Sequence, residues 1–375
     1  MIEGKTASPV LQDAGHAQRH RGLDMLRIVS TFLIVLLHVI GQGGILRHAA
    51  ALSSYSEVGW LLECAAYCAV NCYALLSGYL LCRSRCGMAR LLETWMQVCV
   101  IGVSLTLAAL LLGAPVTRRE LVAAFFPVCT LQYWYVTAYM GVYLLAPFLN
   151  RMIDALDKML HGRLVMVLFL LLSLLPTLFS RDIFQTAGGY SLIWLAALYV
   201  AGAYLRLHVP SGRRKALVYL LGYAGFVFLT YGIRWAVQSV NLARYGAPGD
   251  LTPWLSYPSP LVAGQAVCLF LACRECTFKG TLVGKGVDVF AARSFGVYLI
   301  HAHPMVFNLL LLNAFVPCLA LPLPLFAGAL LLAALCICLV CAALDGVRHR
   351  VFRLLGLDRL AAWLGERIDR LLGRA

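Results

Sequence analysis

Long apolar runs separated by short polar intervals dominate this chain from end to end. Ten can be drawn, at residues 23–43, 58–82, 96–113, 131–149, 164–179, 190–205, 216–235, 254–272, 289–313 and 320–344. Each is long enough, with tilt, to cross about 30 Å of hydrocarbon as a helix. The run at 164–179 is short and carries Pro176 near its end. The pattern predicts an all-α protein, a polytopic membrane helix bundle of about ten transmembrane helices. Its organisation follows: an N-terminal segment 1–22, a membrane domain 23–345 and a tail 346–375.

Composition agrees. Of 375 residues, 61% are hydrophobic and 13% charged, against about 25% charged in soluble domains. The spans leave no stretch for a soluble catalytic domain of about 100 residues, so any chemistry takes place in or beside the bilayer. The formal charge of +14 would raise nucleic acid as a partner in a soluble protein. Here the position of the cations gives a simpler cause. With the N-terminus in the cytoplasm, 23 Lys and Arg fall on the cytoplasmic side, five outside, and Arg27, Arg234 and Arg293 within spans. One span missed or added would exchange the sides of everything downstream, so both termini are expected in the cytoplasm and no nucleic acid is expected. The first twenty residues lack the apolar region of a signal peptide. The tail sets apolar residues at helical spacing among seven cations, as in an amphipathic helix lying on an anionic membrane surface.

Fourteen cysteines suggest a disulfide framework until they are placed. Cys64, Cys68 and Cys72 share a helical face, and Cys336, Cys338 and Cys341 lie in another apolar run, so they read as small core hydrophobes. Cys273 and Cys276 supply half a tetrahedral zinc site at most, and no metal is assigned.

Ionisable groups inside spans cost roughly 2.5–3.5 kcal/mol each and are functional candidates by default. Arg27 and His38 are eleven residues apart, three turns plus about 20°, so they share one face about 16 Å apart. Asp24 can cap that helix or pair with Arg27. Glu63 lies in the second span, followed by Asn71, Ser77 and Gly78, which suit close helix packing. Trp134 and Tyr135 open the fourth span, as an aromatic belt or as rings beside a sugar site. The ninth span carries Asp288 and Arg293 at its inner end and His301 at a depth comparable with His38; His303 precedes a proline and marks a kink. Arg234 either meets an acidic sugar or snorkels to the surface. On these residues alone a transporter or flippase and an enzyme both remain open.

The set resembles the acyltransferase 3 family of integral-membrane O-acyltransferases that modify bacterial surface glycans. The matching features are Gly22-Leu23-Asp24 before Arg27 and His38, and Asn71-Cys72 with Leu76-Ser77-Gly78-Tyr79. Then come Trp134-Tyr135 with Gly141, Tyr143 and Pro147; Tyr257-Pro258-Ser259-Pro260; and Ser294 to His301, all in family order over roughly residues 20–345. Gln132 stands where many relatives have His, and Asn71 where many have Pro, so neither position inherits a role. The chain looks like the stand-alone membrane-domain type, or like the membrane half of a fusion.

The resemblance implies an acyl-CoA-dependent O-acyltransferase, with acetyl-CoA or another acyl-CoA as donor substrate, no permanently bound cofactor, and a surface or lipid-linked glycan as acceptor. It implies residence in the bacterial cytoplasmic membrane. Arg27, Arg293, Arg83 and Arg85, on the inner side, are then candidates for holding CoA phosphates. His38 would remove the proton of a sugar hydroxyl, an acyl-His intermediate being the alternative chemistry. Glu63 or His301 would orient it, and Ser77, Trp134 and Tyr135 would line the substrate site. A glycan transporter or flippase remains the alternative reading.

Overall fold

The computed structural model describes residues 20–212, 215–251, 253–276 and 282–373. Most of the N-terminal segment 1–22, with Lys5 and Arg19, lies outside the described residues, as do Arg213, Arg214, Lys279 and Arg374. In chain order the helices are α1 (Arg21–Ile40), α2 (Ile45–His48), α3 (Ser54–Ala66), α4 (Ala69–Leu81), α5 (Met88–Leu111), α6 (Arg118–Phe125), α7 (Trp134–Asp154), α8 (Lys158–Phe169) and α9 (Leu175–Leu178). They continue with α10 (Leu192–His208), α11 (Ala216–Tyr245), α12 (Pro260–Glu275), α13 (Leu282–Ala291), α14 (Ser294–His301), α15 (Pro304–Val306), α16 (Leu323–Leu354) and α17 (Leu357–Leu371). No strand occurs among the described residues.

Each of the ten apolar runs falls on helix, but not each on one long helix. Six stretches are long and apolar enough to cross a membrane: Arg21–His48, Ser54–Leu81, Met88–Leu111, Lys158–Leu178, Ala216–Tyr245 and Leu323–Leu354. A seventh forms if α14 and the segment Pro304–Ala320 are one span bent by 57°. The bend falls at the expected His303-Pro304 step, where His303 Nδ1 accepts from the Met305 amide (3.2 Å) and caps the new turn. The remaining runs, on α7, α10 and α12, form shorter or less apolar helices. Helices walled by other helices need no continuous lipid-facing surface, and α10 and α12 are largely buried in the bundle.

α1 is the axis. It packs against α3, α4, α12, α13, α14 and α16, and thirteen of its twenty residues are buried. α11 instead exposes Leu217, Val218, Phe228 and Leu229, and α16 exposes Leu332, Leu339 and Val340. An apolar surface of this extent belongs in lipid rather than water. Cys336 is on that outward face, contrary to its reading as core, whereas Cys64, Cys68, Cys72, Cys338 and Cys341 are buried free thiols.

Two ties hold the helices behind the site in register. α4 and α10 meet backbone to backbone: a Cβ on Gly78 would stand 1.9 Å from the Tyr199 carbonyl oxygen, and one on Gly202 2.1 Å from that of Leu75. The expectation that small residues here let helices approach closely is met by this reciprocal pair. One turn before Leu75, buried Asn71 donates to the Tyr257 carbonyl (2.8 Å) and accepts from Trp194 Nε1 (3.0 Å). It fastens the Tyr257 loop to both helices.

At the opposite end, Arg274 and Glu275 on α12 form a buried pair (2.6 Å). The guanidinium also donates to the carbonyls of Leu205, Val209 and Pro210, while Glu275 Oε2 accepts from the Gly212 amide. The pair thereby satisfies carbonyls left open where α10 ends. α16 runs unbroken to Leu354, past residue 345, and α17 packs on α5, with Gly365 against Ala89 and Asp369 accepting from the Met88 amide (2.9 Å). Trp363 and Leu371 on α17 stay exposed.

Candidate active site

His38 lies one turn after Ile34 on α1, and both line a cavity of about 300 Å³. The turn before α7 supplies Gln132 and Tyr133, and its first residues Trp134 and Tyr135; α4 supplies Val70 and Tyr73; α14 supplies Phe295 and Tyr298. Tyr257, Phe307 and Asn308 close it. Most of this wall is aromatic, so polar atoms are few and each matters more than it would in water.

His301 is the group set against His38, with ring centroids 5.0 Å apart, and Phe307 meets His38 edge-on at 5.2 Å. The equal depth expected for the two imidazoles, read from spacing on separate helices, becomes direct contact because α14 packs beside α1. His301 Nδ1 lies 2.7 Å from the Val297 carbonyl, which assigns the ring proton to that nitrogen and leaves Nε2 a lone pair. His301 Nε2 and His38 Nδ1 are both buried without a hydrogen-bond partner among the described residues. Two imidazole nitrogens left without partners, one on a ring in the cavity wall and one on the ring packed against it, are a departure from the usual pairing of buried polar atoms.

Glu63, the other candidate for orienting His38, is found in the wall of a second cavity with Trp60, Tyr67 and Arg234. Arg234 neither snorkels nor stands free. Its Nη1 reaches both carboxylate oxygens of Glu57 at 2.7 Å, Tyr231 donates to the same carboxylate at 2.7 Å, and the guanidinium lies 4.8 Å from the Trp60 ring centroid.

Trp134 stacks on Tyr257 at 5.8 Å and meets Tyr190 at 4.5 Å. These rings form one aromatic cluster at the cavity rather than a belt of isolated side chains. Tyr135, Tyr139 and Tyr143 recur every fourth residue along α7, with successive centroids 6.3 and 6.2 Å apart. This tyrosine face runs from the cavity toward the N-terminal end of α5, where Tyr143 donates to the Gly87 carbonyl (3.0 Å). Tyr73, 6.2 Å from Tyr135, also donates to the Arg27 carbonyl (3.0 Å). The Arg27 end of α1 is thus joined to the cavity through one side chain.

Arg27 pairs with Asp24 at 2.7 Å and keeps about a third of its side chain exposed. Of the other arginines, Arg83 forms an exposed pair with Asp154 (2.7 Å) and Arg85 is exposed in the α4–α5 turn. Arg293 is drawn against α16: it packs over Gly346 and donates to the Ala342 carbonyl (2.9 Å), while Asp345 fills the space left by Gly296. Those contacts use Arg293 to join α14 to α16. Ser77 donates back to the Tyr73 carbonyl (2.9 Å), steadying the turn that presents Tyr73.

Several wall residues carried no role in the sequence reading: Gln132, whose Oε1 is buried without a partner among the described residues, and Tyr73, Tyr298, Phe307 and Asn308. Gln132 immediately precedes the aromatic run, and Tyr73 and Tyr298 fall inside the matched motifs, but no spacing rule distinguishes them from packing residues.

No curated protein and no solved structure matches the chain. A family model described as an acyltransferase domain matches residues 20–343, which include α1, the cavity and most of α16. With its paired imidazoles inside that matched region, the chain belongs to the acyltransferase 3 family.

Proposed function

We propose that the protein is an acyl-CoA-dependent O-acyltransferase of the bacterial cytoplasmic membrane that moves an acyl group, acetyl in the first instance, to a hydroxyl of a cell-surface or lipid-linked glycan. The observation that carries this reading is His38 in the wall of an aromatic cavity joined to the Arg27 end of the bundle, with His301 packed against it from behind. A sugar hydroxyl is a poor nucleophile at neutral pH. Neutral His38 takes its proton as the oxygen attacks the thioester carbonyl; the tetrahedral intermediate then expels the CoA thiolate, which recovers that proton from the imidazolium. His301, its Nδ1–H committed to Val297, offers a lone pair to the cation that forms on His38. The Gln132 amide and the tyrosine hydroxyls of the wall are the available donors to the oxyanion.

Donor and acceptor then enter from opposite ends. The accompanying topology is ten spans with both termini in the cytoplasm: the seven long or bent spans together with α7, α10 and α12. A C-terminal alkaline phosphatase fusion is expected to be inactive in the periplasm; an active one reverses the assignment of sides.

Arg27 binds the donor. Arg27→Ala is expected to weaken acyl-CoA binding roughly ten- to hundred-fold, the worth of a charge-assisted contact of about 1.5–3 kcal/mol. Arg27→Lys keeps the ion pair with Asp24 but loses the planar fork, so it should fold normally and still bind the donor less well. Wild-type donor affinity in the Lys variant together with loss of folded protein in the Ala variant would make Arg27 structural. The function itself is tested by incubating the purified protein in lipid with acetyl-CoA labelled in the acetyl group and with glycan acceptors. Label appearing covalently in the glycan is the expected result; glycan crossing the bilayer unmodified would indicate a flippase instead.

A further inference from the structure

The cavity that holds Glu63 is larger than the one at His38, about 620 Å³ against about 300 Å³. It opens at the end of the bundle where α1 finishes, between the segment around residues 46–51 and the Pro248–Leu255 loop. One pair of rings separates the two spaces: Tyr67, in the wall of the larger, lies 5.2 Å from Tyr257, in the wall of the smaller. A molecule seated in the larger cavity therefore lies against the ring pair that backs the His38 cavity, and a turn of those two side chains would join the spaces.

The chemistry of the wall restricts what that molecule is. Glu63 Oε2 is buried without a hydrogen-bond partner among the described residues, so the cavity holds an acceptor for hydroxyl donors. Trp60 and Tyr67 supply broad apolar faces beside it, the combination that covers a pyranose ring while satisfying its edge hydroxyls. Cations do not prevail. Arg234 is held by Glu57 through Nη1, although its Nε is buried without a partner among the described residues, and Glu63 shares the wall with the exposed Arg47. With Glu57 on Arg234 and Glu63 beside Arg47, an anionic unit would gain little from the wall in return for its lost hydration.

From this we infer that the cavity is an acceptor subsite for an uncharged sugar unit, the neighbour of the one acylated at His38, with Glu63 receiving its hydroxyls and Trp60 and Tyr67 covering its ring. The inference rests on the glycan acyltransferase reading and narrows it to acceptors neutral at this position. Arg234 then acts in support of the subsite, since together with Glu57 it fixes the Trp60 ring.

Binding of saccharides to the purified protein in lipid nanodiscs, without donor, tests it. The probes are three neutral trisaccharides (cellotriose, mannotriose and chitotriose) and the anionic trimer of galacturonic acid. At least one neutral trisaccharide is expected to bind, and more tightly than the galacturonate trimer. Glu63→Gln and Trp60→Ala should each weaken it about ten-fold or more, Trp60→Phe should retain it, and acyl-CoA affinity should be unchanged in all three. Absence of binding by every neutral probe, tighter binding of galacturonate, or wild-type saccharide affinity in the Gln and Ala variants overturns the subsite. If saccharides bind as expected but the wild-type protein transfers no acyl group, the cavity stands as a neutral-saccharide site while the acyltransferase reading, and with it the acceptor role, falls.

Discussion

Replacing His38 by alanine is expected to lower acyl transfer by roughly 10²- to 10⁴-fold, the usual worth of a positioned general base, with acyl-CoA affinity and thermal stability little changed. The size follows from the setting. His38 is the imidazole on α1 in the cavity wall, and its Nδ1 has no partner to replace it among the described residues. Stability should hold because no hydrogen bond ties the ring among the described residues; what is lost is ring contact with His301 and Phe307 at 5.0 and 5.2 Å. His38→Gln keeps shape and hydrogen bonding but not basicity, so it should be about as inactive as the alanine variant. Near wild-type transfer by the Gln variant would reduce His38 to packing and move the base to His301. His301→Gln should be milder, since its assigned work is to support a charge on a neighbour rather than to take the proton.

The second large effect is on stability. Arg274→Ala is expected to cost about 3–5 kcal/mol, because it leaves the Glu275 carboxylate buried beside an empty site. Both side chains are only 2% exposed, and the guanidinium serves three carbonyls at the end of α10 as well. The measurement is the thermal midpoint of the detergent-solubilised protein. The double variant Arg274→Leu, Glu275→Gln should recover part of the loss, since it removes both charges and keeps an acceptor for the Gly212 amide. A single Ala variant as stable as wild type would mean that water reaches this pair.

The helices themselves were legible because lipid and neighbouring helices demand the same thing of a span, an apolar run of fixed length. That logic does not distinguish a long lipid-facing helix such as α11 from a short enclosed one such as α12, and so the ten runs correspond to six long spans, one bent pair and three shorter or less apolar helices. The kink at Pro304 was legible because proline acts on its own backbone. Asn71 was legible only as a packing residue. That it ties Trp194 to the Tyr257 carbonyl requires α4, α10 and a distant loop to be in place.

By itself the sequence determined what one helix can determine: that Arg27 and His38 share a face three turns apart, and that Asp24 can reach Arg27. Helical geometry is local, and spacing alone fixes those relations. Only the tertiary structure decided which groups from other helices meet them. It set His301 rather than Glu63 against His38, gave Arg234 to Glu57 and Arg293 to α16, and brought Gln132 into the cavity. Those choices depend on crossing points set by close contacts such as Gly78 on Tyr199, which act between residues far apart in the chain and leave no periodic trace in it.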